Sequence, residues 1–424
     1  MAYPAGFLAN LKDSADIVAV IGHDITLKKT GKVLTGLCPF HADSKPSLRV
    51  DPAKRTYKCY VCGEGGDALD WIQHINKFSF AEAVTELCAR NGMDVPVDDQ
   101  YSVEDKKHWG QISRALSKAQ AIYTRGLQKS SPHQEYLQQR GITVSTIQRF
   151  GLGVVGKGIS RFLIDDGFSQ EILYEAGIVG KTDEGRFYDA LRNRITIPLH
   201  TSTGHLIGFA GRKGDNSAGP KYLNTAETQL FKKHKELFAL NLAKPAIRKS
   251  ETAIVVEGYF DVISLHQAGE ERAIAAMGTS LTPEHLNTIF SHAKFLILCY
   301  DGDKAGIQAA KRACPRLIES IKDGNNISLV FLPGQSDPDE FIRSKGFEAW
   351  QLQLSQATPL SSFLLQYITS GRKLETVEEI AAASIRAYAI LARINRHVAP
   401  VYYQAFKSAA EQVLGIALSD KEPD

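Results

Sequence analysis

Three short apolar runs between Ala253 and Tyr300 constrain the fold of this chain more than any other feature. The runs AIVV, AIAAM and FLILCY are rich in β-branched residues, which predicts buried strands. Acids follow two of these strands directly, Glu257 after the first and Asp301 with Asp303 after the third. Because ligands of open α/β sheets bind at the carboxyl ends of the strands, we expect these acids to lie together at one sheet edge.

A further pair of acids, Asp337 and Asp339, follows the strand-like run from Ser328 to Leu332 in the same way. Clustered carboxylates repel one another unless a cation or a proton offsets their charge. Hard oxygen ligands of this kind suit Mg²⁺, which typically binds a few carboxylates, water and substrate phosphates. A single Asp-x-Asp after a strand is more often a helix cap or a turn. The repetition of the pattern in one βαβ series favours a metal site.

Two pairs of potential zinc ligands lie nearer the N-terminus. Two residues separate Cys38 from His41 and also Cys59 from Cys62, and seventeen residues separate the pairs. Zn²⁺ prefers four tetrahedral sulfur and nitrogen ligands, so the spacing predicts a closed, structural zinc site. Basic and aromatic residues along the predicted ribbon strands suit single-stranded nucleic acid, although an ordinary solvated face explains them equally well. These residues are Arg49, Lys54, Arg55, Tyr57, Lys58 and Tyr60.

The charge of the chain is unevenly distributed. The formal net charge of the 424 residues is only +3, but residues 186–249 contain twelve Lys or Arg against four acids. Several of these cations lie within or beside strand-like apolar runs, which favours phosphate binding over a solvated charged face. The predicted nucleic-acid-binding or nucleotide-binding residues are Arg192, Arg194, Arg212, Lys221 and Lys233.

Composition narrows the class of protein. With 43% apolar and 23% charged residues the chain predicts a soluble globular protein of several domains. It contains no run of about 18 apolar residues and no secretory signal, so we expect no membrane partner and a cytoplasmic location. The six cysteines are not spaced like a disulfide framework, which favours a reducing compartment.

Several motifs resemble known families. EGYFD from Glu257, GTS from Gly278, DGDKAG from Asp301 and DPD from Asp337 resemble the Toprim domain. CPFH, YKCYVCG and GDALDW resemble the zinc-binding domain of bacterial DnaG-type primases, which is a narrower resemblance. YLQQRGI, LRNRITIP and LIGFAGR are similar to the basic part of the primase core.

The resemblance implies a DNA-dependent RNA primase that makes short RNA primers on single-stranded DNA from ribonucleoside triphosphates. It implies structural Zn²⁺ on the four ligands above and catalytic Mg²⁺ or Mn²⁺ on carboxylates, with Asp261 in a supporting role. The expected catalytic residues are Glu257, Asp301 and Asp303, with Asp337 and Asp339 as further metal ligands. A monomer is expected. Family members commonly carry a helicase-binding domain that this sequence lacks, so a replicative helicase is an open partner.

Two alternatives remain open at the level of the sequence. A nuclease or another Toprim enzyme would share the acidic motifs, and a nuclease would cleave DNA without nucleotides. A non-catalytic zinc and Toprim protein would bind single-stranded DNA and tolerate loss of Asp301 and Asp303. Retention of the full acidic set argues against such a scaffold, because repelling carboxylates serve no purpose there.

The expected fold class is a multidomain combination of α+β and α/β parts. We predict a zinc ribbon over residues 1–95, a linker over 96–108 and a basic mixed α/β domain over 109–250. A parallel Toprim sheet over 251–345 and a helical subdomain over 346–424 complete the prediction. Helical periodicity also predicts one helix over residues 8–21 and a capping box at Ser79 and Glu82.

Overall fold

The computed structural model describes residues 6–93, 103–214, 219–228, 230–278 and 280–419. The chain divides into two compact units between Trp109 and Gly110. In those described ranges, no helix is both long enough and apolar enough to span a bilayer. The finer division into five segments stays a prediction.

The first unit is an antiparallel five-stranded sheet packed against four helices. Its strands lie in the order β1 to β5 across the sheet. Leu48, Trp71 and Leu87 are fully buried and form part of one core with the helices. The elements are α1 Phe7–Ser14, α2 Ile17–Gly22, β1 Lys28–Thr30, β2 Val33–Gly36, β3 Leu48–Asp51, β4 Thr56–Cys59, β5 Gly65–Gly66, α3 Ala68–Asn76 and α4 Phe80–Arg90.

Local capping explains where the helices of this unit begin. The single helix predicted over residues 8–21 is wrong, because Asp16 accepts hydrogen bonds from the backbone of Val18 and Ala19 and so starts a second helix. The predicted capping box of α4 is confirmed, with Ser79 and Glu82 bonded reciprocally.

The second unit begins with helices and a small antiparallel sheet. The sheet order is β11-β10-β9-β6, and β7 pairs with β8 as a separate hairpin. β9 pairs with β10 as an antiparallel hairpin, whose turn contains Thr203 and Gly204. The elements are α5 Val103–Gln128, α6 Ser131–Gln139, α7 Val144–Phe150, β6 Gly153–Val154, α8 Ile159–Asp165, α9 Gln170–Glu175, β7 Val179–Lys181, β8 Phe187–Asp189, β9 Arg194–His200, β10 Leu206–Lys213 and β11 Tyr222–Asn224.

Part of the predicted linker is helical. Helix α5 begins at Val103, inside the segment 96–108 that was expected to be irregular. The remaining linker residues, 96–102, lie outside the described residues.

A six-stranded mixed sheet forms the centre of the second unit. Its order is β12-β14-β13-β15-β16-β17. The four central strands are parallel, as predicted, and the two edge strands pair in the antiparallel sense. The elements are β12 Leu237–Phe238, α10 Leu240–Ser250, β13 Thr252–Val256, α11 Tyr259–Gln267, β14 Ala273–Ala276, α12 Pro283–Phe290, β15 Phe295–Tyr300, α13 Lys304–Glu319, β16 Asn326–Phe331, α14 Pro338–Ser355 and β17 Thr358–Pro359.

Each face of this sheet packs into a different core. Val255 and Leu298 belong to a core shared with three C-terminal helices, α15 Leu360–Ile368, α16 Val377–Leu391 and α17 Pro400–Leu414. Val256 and Cys299 belong to a second core that includes residues of β9 and β10. Because both faces are covered, the central strands are apolar throughout, as is usual for parallel sheets.

Candidate zinc centre and active site

The four predicted zinc ligands lie together in the first unit. The ligand atoms of Cys38, His41, Cys59 and Cys62 are all within 4.8 Å of one another. The Sγ atoms of Cys38 and Cys62 are 3.7 Å apart, and Cys59 Sγ lies 3.9 Å from His41 Nδ1. Two sulfurs bound tetrahedrally to zinc at about 2.3 Å would be about 3.8 Å apart, so the donor set fits Zn²⁺.

Asp43 organises this cluster. Its carboxylate accepts hydrogen bonds from Cys38 N at 2.8 Å and from Ser47 Oγ at 2.6 Å. These two bonds hold the pKa of Asp43 at about 2, so the group stays ionised. Nε2 of His41 faces the same carboxylate at 3.8 Å, which leaves Nδ1 for the metal. Asp43 was not predicted from the sequence.

The candidate catalytic acids lie at one edge of the central sheet. Glu257 follows β13 and Asp301 follows β15, and these two strands are parallel neighbours. Asp303 is the N-cap of α13 and accepts from Gly306 N at 2.7 Å. Asp337, at the start of α14, accepts from Glu340 N at 2.7 Å. Asp261, in the first turn of α11, accepts from Gly258 N at 2.8 Å.

The carboxylates at this edge perturb one another. Burial, and then the charges of Asp301 and Asp303, raise the pKa of Glu257. Burial and the neighbouring Asp337 and Asp303 raise the pKa of Asp301. Burial, with Asp337 and Asp301, raises the pKa of Asp261 to about 7. Mutually repelling, partly buried carboxylates are a donor set that fits Mg²⁺ or Mn²⁺.

A glycine lets the loop after β15 approach the neighbouring strand. A Cβ atom on Gly302 would overlap the carbonyl oxygen of Leu332, directly after β16. Since this neighbour is backbone, a side chain at residue 302 would push the loop away. The close approach therefore fixes the positions of Asp301 and Asp303 on either side of Gly302.

A cavity of about 380 Å³ opens beside Glu257. It is lined by the ends of β13, β14 and β15 and by one side of α13, with Ser280, Tyr300 and Arg312 among the lining residues. The positive charge of Arg312 lowers the pKa of Glu257, but burial and the two aspartates raise it by more. Arg312 was not predicted from the sequence. Thr279, part of the GTS motif, lies outside the described residues.

Family models match both the zinc unit and the acidic edge. Residues 3–103 match the CHC2 zinc finger, residues 122–244 the N-terminal domain of the DNA primase catalytic core, and residues 254–342 a Toprim-like model. The DNA primase of Escherichia coli strain K12 is 34% identical over 406 residues, which cover 94% of this chain and 70% of that protein. The chain belongs to the bacterial DNA primase family. As a primase family member it is a nucleotidyltransferase.

Solved primase structures have the same fold. The zinc-binding and RNA polymerase domains of the Aquifex aeolicus primase align with a TM-score of 0.63 and 30% identity, over 97% of both chains. A DnaG primase catalytic domain bound to ssDNA aligns with a TM-score of 0.68 and 31% identity, over 74% of this chain and 98% of that one.

Among the predicted metal ligands of this primase, Asp339 is buried and held by ion pairs. Its side chain is 1% exposed and forms ion pairs with Arg140 and, at 2.9 Å, with Arg343. Ser264 Oγ donates to the same carboxylate at 2.6 Å. Because both oxygens are bonded to protein side chains, we propose a structural role for Asp339 in place of the predicted metal ligation.

Arg212 is enclosed by aromatic rings. Only 5% of this residue is exposed, and its Nε donates to Tyr136 Oη at 2.6 Å. A second nitrogen donates to Tyr222 Oη, and the guanidinium carbon lies 4.7 Å from the centre of the Phe260 ring. Because so little of its surface is exposed, we propose cation–π packing for Arg212 in place of the predicted nucleic-acid contact.

The other predicted cations divide into buried and exposed groups. Arg194 is 9% exposed and donates to the carbonyl oxygen of Pro220 at 2.9 Å, so we propose a structural role for it in place of the predicted phosphate contact. Lys221 is exposed, and its charge lowers the pKa of Asp301. Arg192 is exposed and Lys233 half-buried. Their nucleic-acid contacts stay predictions.

Proposed function

We propose that this chain synthesises short RNA primers on a single-stranded DNA template by metal-dependent transfer of ribonucleotides from their triphosphates. One observation carries the proposal, the convergence of Glu257, Asp301 and Asp303 at one sheet edge, where Glu257 lines the cavity. Family membership supports it and also favours a cytoplasmic location. A replicative helicase partner and a monomeric state stay predictions.

The carboxylates contribute position and charge. We assign Glu257, Asp301 and Asp303 as metal ligands and Asp337 as a further ligand. Bound Mg²⁺ or Mn²⁺ would lower the pKa of the attacking 3′-hydroxyl and neutralise charge on the triphosphate. Asp261 supports the edge from α11, where its bond to Gly258 N fixes the turn that follows Glu257.

Two cations complement the acids. Lys221 lies close enough to Asp301 to lower that group's pKa, so its ammonium group is placed to offset phosphate charge at the same edge. Arg312 faces the cavity next to Glu257 and is placed to bind an anionic group entering there. The 3′ end and the triphosphate would thus meet between carboxylates and cations.

The zinc unit offers a second nucleic-acid contact. Tyr60 follows β4 and is 72% exposed, and the cations Arg49, Lys54 and Lys58 are exposed on the same ribbon. An exposed ring among cations suits stacking of a single-stranded base with phosphate contacts alongside. We assign template engagement to this ribbon.

Primer synthesis tests the proposal. A mixed single-stranded template, labelled ribonucleotides and Mg²⁺ or Mn²⁺ should give short RNA that depends on template and disappears with chelator. Asp303→Asn should lower synthesis by at least about 100-fold, since it removes an anionic metal ligand worth several kcal/mol. The amide oxygen of Asn keeps the N-cap of α13.

The control is Glu348→Gln, an exposed acid on α14 outside the site, which should leave synthesis unchanged. Full synthesis by Asp303→Asn would show that the metal assignment is wrong. Cleavage of DNA by the wild type without RNA synthesis would identify a nuclease. DNA binding with neither activity would identify a scaffold.

A further inference from the structure

The hairpin of β7 and β8 carries an aromatic ring that lies flat on a glycine. Tyr188 pairs directly across the hairpin with Gly180. A Cβ atom on residue 180 would overlap Cζ of the ring and lie 2.6 Å from Oη and 2.8 Å from Cε2. One face of the ring therefore covers the Gly180 backbone, while 51% of the residue remains exposed.

The surroundings hold the backbone next to this ring in place. Asp189, the next residue, accepts hydrogen bonds from Gly158 N at 3.0 Å and Ser160 N at 2.9 Å, which tie the hairpin to the start of α8. Ala190 N donates to Ile178 O at 3.1 Å. A ring fixed in this way loses little conformational freedom when a flat ligand stacks on its open face.

The opposite face of the hairpin is packed, so the two faces differ. Phe187 meets the Tyr174 ring edge-on at 6.1 Å, and the ammonium of Lys181 lies 5.4 Å from the centre of the Phe187 ring. Side chains alternate along a strand, so Tyr188 points away from this cluster. The open face of Tyr188 belongs to a surface that no other described ring contacts.

The charges near Tyr188 favour an anionic strand. Three exposed cations lie close by along the chain or across the contact to α8: Lys157, Arg186 and Arg192. Among the nearby acids, Asp189 is occupied by two backbone N–H groups, and Glu184 accepts from Thr182 at 3.4 Å. Asp183 remains exposed in the turn.

The hairpin is connected to the catalytic edge through the chain and one hydrogen bond. Strand β8 continues through Arg192 into β9, whose first residue, Arg194, bonds to the carbonyl of Pro220. The next residue, Lys221, acts electrostatically on Asp301. Arg192 thus lies in the chain between Tyr188 and the start of β9, where Arg194 contacts the residue before Lys221.

We propose that Tyr188 is a stacking platform for one base of the single-stranded DNA template. The inference rests on the proposed function, because it deepens the template contact of the same site. A stacked base would meet the exposed ring face, and Arg192 and Arg186 would bind the flanking phosphates. Stacking needs the aromatic plane rather than the hydroxyl, and it is tolerant of base identity.

The test is binding of the full chain to fluorescein-labelled single-stranded DNA by anisotropy. Tyr188→Ala should weaken binding by about 5- to 150-fold, the range for loss of one stacked base, and Tyr188→Phe should bind like the wild type. Tyr188→Leu keeps an apolar cover over Gly180 without an aromatic plane and should be weakened as well. Tyr174→Ala removes a similarly exposed ring from the packed face and should bind normally.

An abasic scan of the template locates the stacked base. One position should exist at which an abasic site weakens the wild type but not Tyr188→Ala. The inference is overturned if Tyr188→Leu binds like the wild type. It is also overturned if the wild type and Tyr188→Ala lose affinity at the same abasic positions. Failure of the proposed function has a different signature, because the wild type itself would then make no RNA.

Discussion

The buried carboxylate of Asp339 gives the sharpest test of its proposed structural role. Asp339→Asn removes a charge that is 1% exposed and leaves Arg140 and Arg343 without their anion. Removing one partner of a buried ion pair costs about 3–5 kcal/mol. Arg343 is 41% exposed and contributes about 0.5 kcal/mol, so Arg140, only 20% exposed, dominates the loss. Because Asn still accepts a hydrogen bond from Ser264, we expect the free energy of unfolding to fall by about 3 kcal/mol, the low end of that range.

Urea unfolding of zinc-loaded protein without added Mg²⁺ measures this loss. The chain contains three tryptophans, and Trp350 is the fully buried one in the second unit. With 5-fluorotryptophan, the ¹⁹F NMR signal of Trp350 reports that unit separately from Trp71. If the unit has an m-value of about 3 kcal/mol/M, the urea midpoint should fall by about 1 M.

Two further variants separate a structural role from metal binding. Glu340→Gln, an exposed acid on the same helix, should change the free energy of unfolding by less than about 0.5 kcal/mol. The double variant Asp339→Leu with Arg140→Met should recover much of the stability, because no unpaired charge remains buried. A wild-type midpoint for Asp339→Asn without Mg²⁺, together with lost stabilisation by added Mg²⁺, would refute the reasoning and restore Asp339 as a metal ligand.

Two other predictions concern the zinc centre and pH. Asp43→Ala should weaken zinc binding by about 10- to 100-fold, measured by competition with a chromogenic chelator, because Asp43 orients His41 and the Cys38 turn; unchanged affinity would contradict this role. Burial lowers the pKa of three histidines of the second unit, so the unfolded state binds more protons below about pH 6.5 and the free energy of unfolding should fall as pH drops below that value. Urea midpoints between pH 7.5 and 5.5 check this. Replacing the three histidines by Gln should make the urea midpoint depend less on pH. The three are His200, His266 and His285.

The zinc ligands and the acids at the strand ends could be predicted from the sequence, because both depend on residues that are close together in the chain. Two residues between Cys38 and His41 already place two ligands on one turn. The order of short apolar strands predicted the parallel sheet and its acidic edge without knowledge of the packing. The edge strands β12 and β17 are two residues each and carry no comparable pattern.

The surroundings of Arg212 and Asp339 depend on distant partners and on helical rotation, which the sequence does not show. Arg212 donates a hydrogen bond to Tyr136, which lies 76 residues earlier in the chain. The sequence around Arg212 does not predict that contact. Asp337 and Asp339 were expected to point the same way from a strand end. The structure instead starts a helix at that point, with Asp337 as its N-cap. Residues two positions apart in a helix point in directions that differ by about 200° around the axis. Asp339 therefore faces the protein interior.

The core beneath the acidic edge has a consequence for how such a protein can be divided. The family models end at residue 244 and resume at residue 254, which suggests two exchangeable modules. Yet one continuous core contains Leu127 and Ile197 from the first match and Val256 and Phe260 from the second. A cut near residue 250 would expose both halves of that core. A recombinant of two relatives joined at this boundary should therefore be stable only when the core residues of its two halves pack against each other as they do in the parents.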